Sequence, residues 1–201
     1  MRSEVKRAVF SSIERRLVDI GYKPCRFFAE KNSAGGVFVP LGGKLFRKKA
    51  AQDLFFFIYF VPDGKDDSMV AYIGWSKNGA IPYIENIADI YERADDEFLQ
   101  DKFISKIFDV SCGETGVRLM NKLSSRSIWT LVPLREVEFG EAEERFHDLF
   151  HALAESDLKA SSIDPESDEC LRLCEQMANR VVDDIVAYAL PYFEKKLHLY
   201  S

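Results

Sequence analysis

The chain has 201 residues, 47% of them hydrophobic and 30% charged, which is enough to bury a core in one large domain or two small ones. With 16 Phe and 8 Tyr it carries too many rings for a disordered chain, and no stretch reaches the roughly 20 apolar residues that cross a bilayer. The net charge of −6 is uneven: residues 141–201 hold 14 Asp plus Glu against 6 Lys plus Arg, whereas residues 1–140 hold 19 against 21. An acidic final third argues against nucleic acid as the main partner, because phosphate binding needs clustered Lys and Arg. It suits a basic protein partner, and equally a plain solvated surface.

Val5, Val9, Ile13, Leu17 and Ile20 recur at helical spacing, with Phe10 and Val18 widening the stripe, so the first helix is expected over 3–20. Ser3 is the expected cap, Gly21 the left-handed stop, and Pro24 bars continuation. The start is charged and lacks the apolar stretch and cleavage site of a signal peptide, so a cytoplasmic home is expected. Cys25 to Glu30 and Gly36 to Leu41 flank the turn-rich Asn32-Ser33-Ala34-Gly35 and read as a hairpin. Lys44 to Lys49 reads as a short edge strand blunted by its lysines. Its basic residues are the one cue toward nucleic acid.

The centre of the chain is the run Leu54 to Val61, apolar at every position and strand-like in length. Pro62 to Asp67 supplies turn chemistry, and Met69 to Trp75 is a second such run. Together they predict an antiparallel hairpin that needs cover on both faces. Helices are expected over 82–91 and 94–110, a loop at 112–116, a short helix at 117–123 and a strand at 128–132 ended by Pro133. Beyond Gly140 the pattern is helical. One helix is expected over Glu141 to Leu153, a linker at 159–163, and a long last helix opened by Asp164-Pro165-Glu166. Its stripe reads Leu171, Cys174, Met177 or Ala178, Val181, Ile185, Tyr188 and Ala189, with Pro191 kinking or ending it. The expected fold class is α+β: a mostly antiparallel sheet of four to six strands packed by the N-terminal helix and a set of C-terminal helices. A single domain is expected over 1–201, strand-rich over 22–80 and mainly helical over 81–201.

Few residues frame chemistry. Cys170 and Cys174 face one way on a helix and suit small core residues, and there is no CxxC pair for zinc or redox work. His147 and His151 are four apart, with Glu143 one turn earlier, a spacing a divalent metal can use. It lacks the general-base Glu of HExxH, and an ordinary charged helix face explains it too. No nucleophile elbow, phosphate loop or carboxylate pair stands out. Trp75, with Tyr83 in the segment beyond it, offers either an interface anchor or a plug for the core. No cofactor is expected.

Gly21-Tyr22-Lys23 after the first helix, Arg26-Phe27-Phe28, Phe46-Arg47, Gly74-Trp75-Ser76 and Leu190-Pro191-Tyr192 occur in an order that resembles small bacterial α+β immunity proteins of toxin–immunity systems. The resemblance implies a non-enzymatic, cytoplasmic binding protein that neutralises a cognate toxin by occluding it. Its acidic and aromatic surface would include Trp75, Tyr83, Glu141, Glu143, Glu144 and Asp148. Two alternatives stay open: a metal-dependent hydrolase using Glu143, His147 and His151, and an adaptor or regulatory subunit of a bacterial complex.

Overall fold

The first helix, α1 (Ser3–Asp19), buries Val5, Val9, Phe10, Ile13 and Leu17, the stripe its spacing predicts. The computed structural model, which describes residues 1–25, 43–77, 115–120, 128–135 and 142–200, corrects two details of this helix. Val18 is half exposed, and Arg2 rather than Ser3 stands at the cap position, the Ser3 hydroxyl being turned to Glu4 at 2.7 Å. At the other end Gly21 has φ 89°, and the amides of Gly21 and Tyr22 donate back to Val18 and Leu17 at 2.9 Å each. This pair of bonds needs a left-handed residue, which glycine supplies without a Cβ penalty.

Five strands follow in simple antiparallel order: β1 (Lys23–Cys25), β2 (Lys44–Lys49), β3 (Leu54–Pro62), β4 (Ser68–Lys77) and β5 (Thr115–Leu119). A two-residue β6 (Trp129–Thr130) pairs with the start of β4 at Ser68 and Met69. The central hairpin is as expected, with Phe56 opposite Trp75 and Ile58 opposite Ile73. Its loop is set by Asp63, whose carboxylate accepts from the amides of Lys65 at 2.7 Å and Asp66 at 3.1 Å. Those bonds, the Lys65 one first, hold the Asp63 carboxyl below its usual range.

The pleat explains why the central run is apolar throughout. Leu54, Phe56, Ile58 and Phe60 join Met69, Ala71, Ile73 and Trp75 in the main core with the helices. The intervening Phe57, Tyr59 and Tyr72, with Leu45 of β2, are also out of water, so the sheet is buried on both faces. β2 is flanked by β1 and β3 and is not an edge strand. Alternation divides its cations: Lys44 reaches Glu14 of α1 at 3.1 Å and Lys48 the carbonyl of Ile20, the C-cap of α1, at 2.9 Å. Arg47 and Lys49 lie over the ring of Phe55 on the other side, at 5.8 and 5.9 Å. Residues 115–119 are a strand, where the sequence predicts a loop to 116 and a helix from 117; β4 is long enough to pair with β5 beside its second half. The expected hairpin over 25–41 beyond Cys25 and the helices over 82–110 lie outside the described residues.

The C-terminal third comprises α2 (Ala142–Ser161), α3 (Asp168–Asp184), a π-helical turn (Ile185–Ala189) and α4 (Leu190–Tyr200). α2 runs well past Leu153. α3 starts later than Pro165 suggests, because Ser167 caps it by accepting from the amide of Cys170 at 3.1 Å. Its buried residues are Cys170, Leu173, Cys174, Met177, Ala178, Val181 and Val182, continued by Ile185 and Ala189, so most of the expected stripe is inside; Leu171 and Tyr188, also expected there, are exposed. Pro191 neither ends nor breaks the helix. The wider turn just before it absorbs the proline, whose missing N–H and bulky ring a regular α-turn would not accommodate.

α3 lies along α1, with Arg16 reaching Asn179 at 2.6 Å and Asp183 at 3.1 Å, and Phe193 of α4 stacks on Phe56 with ring centres 4.4 Å apart. Arg2 ties three regions together. Its Nε and backbone N–H donate to the two carboxylate oxygens of Asp67 at 2.7 Å each, and its remaining nitrogens donate to the carbonyls of Ile163 at 2.7 Å and Ala160 at 2.9 Å. Removing the Asp67 carboxylate strips a buried pair of its acceptor, so Asp67→Ala should lower unfolding free energy by about 2–4 kcal/mol. Arg16→Ala at an exposed pair should cost about 1 kcal/mol or less. Denaturant midpoints at unchanged slope test the comparison; equal losses would remove Asp67 as the stronger tie.

Candidate functional site

Among the described residues of α2, the buried side chains are small. Ala152, Ser156 and Ala160, spaced by four, form its buried stripe, and the Ser156 hydroxyl donates to the Val132 carbonyl at 2.5 Å. Small residues there let the helix sit close to the chain beyond β6. The opposite face carries His147, Phe150, His151, Ala154 and Leu158, all exposed. Phe150 keeps 65% of its surface in solvent and Leu158 73%. An apolar ring and a leucine therefore stand at the surface on the outer face of the helix. Acidic groups flank them: α2 has five carboxylates against two cationic side chains. Of these, Glu155 is met by Arg135 at 3.5 Å, with both groups about half exposed.

The residues singled out from the sequence are divided by the structure. Asp148 lies half-buried on α2, and Glu143 and Glu144 stand one turn or so before His147 in the same helix, though their side chains are outside the described residues. Glu141 and Tyr83 are outside them altogether. Trp75 has 0% exposure, under the ammonium of Lys196, which lies 5.3 Å from its ring centre. A fully covered indole cannot anchor a partner, so Trp75 is a core plug and leaves the candidate surface. His147 and His151 come together, ring centres 4.6 Å apart. Among the described residues no group of three or more His, Cys, Asp or Glu converges as a metal cage.

Some groups escaped the sequence reading. Asp184, buried near the end of α3, accepts from the indole N–H of Trp129 at 2.8 Å, and Arg180 donates to the Thr130 carbonyl at 2.5 Å. Both tie α3 to β6, and only the fold brings them together. An open groove along α1 holds Lys6, Arg7, Arg15 and Lys44 against Glu14 and Asp19. Its cations stand in contrast to the acidic α2.

Cys170 and Cys174 are core residues, as expected. Burial first, then Cys170 and Asp67, push the Cys174 thiol from its ordinary 9.0 up to about 12. Burial likewise raises the phenols of Tyr22 and Tyr59. A group whose pKa is raised by folding contributes its full stability below the unfolded value and loses it as pH climbs toward the folded one. Unfolding free energy should therefore fall as pH rises from about 9 to about 12, and less steeply in Cys174→Ala. Alkylation of the native protein near neutral pH should leave Cys170 and Cys174 unlabelled. Labelling of either one would contradict its placement in the core. No known protein family, curated protein or solved structure matches the chain.

Proposed function

We propose that this chain is a non-enzymatic binding protein, an immunity protein that neutralises a cognate bacterial toxin by occluding it, acting in the cytoplasm. The observation that carries the proposal is the outer face of α2. A helix held down by Ala152, Ser156 and Ala160 leaves Phe150 and Leu158 in water beside a surplus of carboxylates. Apolar side chains exposed on a helix rich in carboxylates suit a partner with an apolar patch beside a basic rim, the surface expected around a nuclease-like or phosphate-handling site. The carboxylates, with Glu141, Glu143, Glu144 and Asp148 the candidates, would steer and register the encounter. The two apolar side chains would hold the complex. No helix among the described residues is long and apolar enough to cross a membrane.

The test is co-expression with each neighbouring open reading frame. A neighbour that kills alone, is rescued by this chain and co-purifies with it in equal amounts is the expected outcome; if no neighbour is toxic and none binds, the proposal falls. With the partner in hand, Glu143→Lys with Glu144→Lys should slow association about tenfold at low salt and flatten its salt dependence. Phe150→Ser and Leu158→Ser should instead speed dissociation, by about 1–2 kcal/mol each. Because both side chains are exposed, thermal stability should barely move. Association rates unaffected by the charge reversals would remove those two carboxylates from the interface.

A further inference from the structure

We infer that His147 and His151 form a two-imidazole clamp for a borderline divalent cation such as Zn²⁺, Cu²⁺ or Ni²⁺ on the outer face of α2. The inference stands apart from the toxin reading, since it needs only the two rings and the helix that carries them.

Three observations bear on it. Residues four apart on a helix lie one above the other, so the backbone already brings the two side chains to one spot. Both rings are exposed, so a hydrated ion can reach them without opening the core. Their separation also fits. A metal about 2.0–2.1 Å from one nitrogen of each ring, with an angle between tetrahedral and square at the ion, sets the ring centres about 4.5–5.2 Å apart. The observed ring centres are 4.6 Å apart, with the planes tilted by 53°. That spacing is compatible with both rings reaching one ion, and the helix already holds the rings side by side.

Imidazole nitrogen selects for the later first-row divalent ions over Mg²⁺ and Ca²⁺, which prefer cages of oxygen. The surroundings favour a cation too: Glu143 and Glu144 precede the pair in α2, and Glu155 follows His151 by one turn. Two protein nitrogens leave at least two positions of a tetrahedral ion open. Water fills these in the isolated chain, and a donor atom from a second molecule can replace it. This is an exchangeable surface site, in keeping with the lack of a larger cage among the described residues.

The experiment is equilibrium dialysis of the intact chain against Zn²⁺ alone, with excess Mg²⁺ present, followed by thermal melts with and without the metal. The wild type should take up about one equivalent and melt higher when loaded, because the ion binds the folded helix preferentially. His147→Ala and His151→Ala should each weaken binding by about tenfold or more, while His198→Ala leaves it unchanged. Both rings are at the surface, so the variants should melt like the wild type in the absence of metal, which keeps the comparison sound. No uptake by the wild type overturns the clamp. So does uptake that survives both substitutions, which would place the ion on another group such as Cys25. Loss in only one of the two variants would also overturn it, since a single imidazole would then be the ligand.

Discussion

Arg2 is the fastener on which the arrangement of layers depends. One guanidinium, aided by its own backbone amide, satisfies a buried carboxylate at the end of the central loop and two carbonyls at the end of α2. The flat fork of arginine makes this feasible, since it presents donors in several fixed directions that a lysine could not cover. Asp67 is held in turn by its place beside β6, where its backbone carbonyl accepts from the Leu131 amide at 2.8 Å. The start of α1, the β3–β4 loop, β6 and the α2–α3 junction therefore meet at one polar knot. Apolar packing supplies most of the driving force elsewhere, but it does not by itself fix how helices rotate over a sheet. The directed bonds at Arg2 do.

The same division holds at the other end of the sheet. Phe56 stacks on Phe193, and Lys196 lies over Trp75 and Tyr192 at 5.3 and 5.5 Å. Lys48 lies over Tyr22 at 5.7 Å while donating to the Ile20 carbonyl at the C-cap of α1. Cations here close the rim of an aromatic core, keeping their charge near water and their stems over the rings. This gives the cations of the basic strand intramolecular roles. Lys44 and Lys48 are engaged by α1, and Arg47 and Lys49 by Phe55.

What could be read from the sequence was what local periodicity determines. α1 and the β3–β4 hairpin came through because each repeats its own pattern over several turns or residues, and the α+β class followed from them. The stripe of the last helices was legible at Cys174, Met177, Ala178, Val181, Ile185 and Ala189, but Leu171 faces water and its neighbour Cys170 takes the inward place, since adjacent residues of a helix stand about 100° apart. Residues 115–119 were misread because a five-residue strand carries too short a pattern to distinguish from a helical turn. Of the candidate site, the position and spacing of His147 and His151 were legible, and so was the acidity of α2. The exposure of Phe150 and Leu158 was not, since an apolar residue in a helix is expected inside unless the fold says otherwise. Trp75 was ambiguous in sequence for the same reason. Arg2 and Asp67 carried no signal at all, their partners lying 65 and more residues away.

The long reach of the Arg2 contacts also sets a schedule for the chain during synthesis. The β3–β4 hairpin can close as soon as its own residues leave the ribosome. Arg2, however, must wait for Ala160 and Ile163, and α1 for the α3 that covers its apolar stripe. Through most of translation the first helix therefore lacks the cover that α3 gives to Val5, Val9, Ile13 and Leu17. A nascent chain in that condition is a client for whatever shields apolar surface near the exit tunnel. The packing around α1 is completed only when α3 emerges.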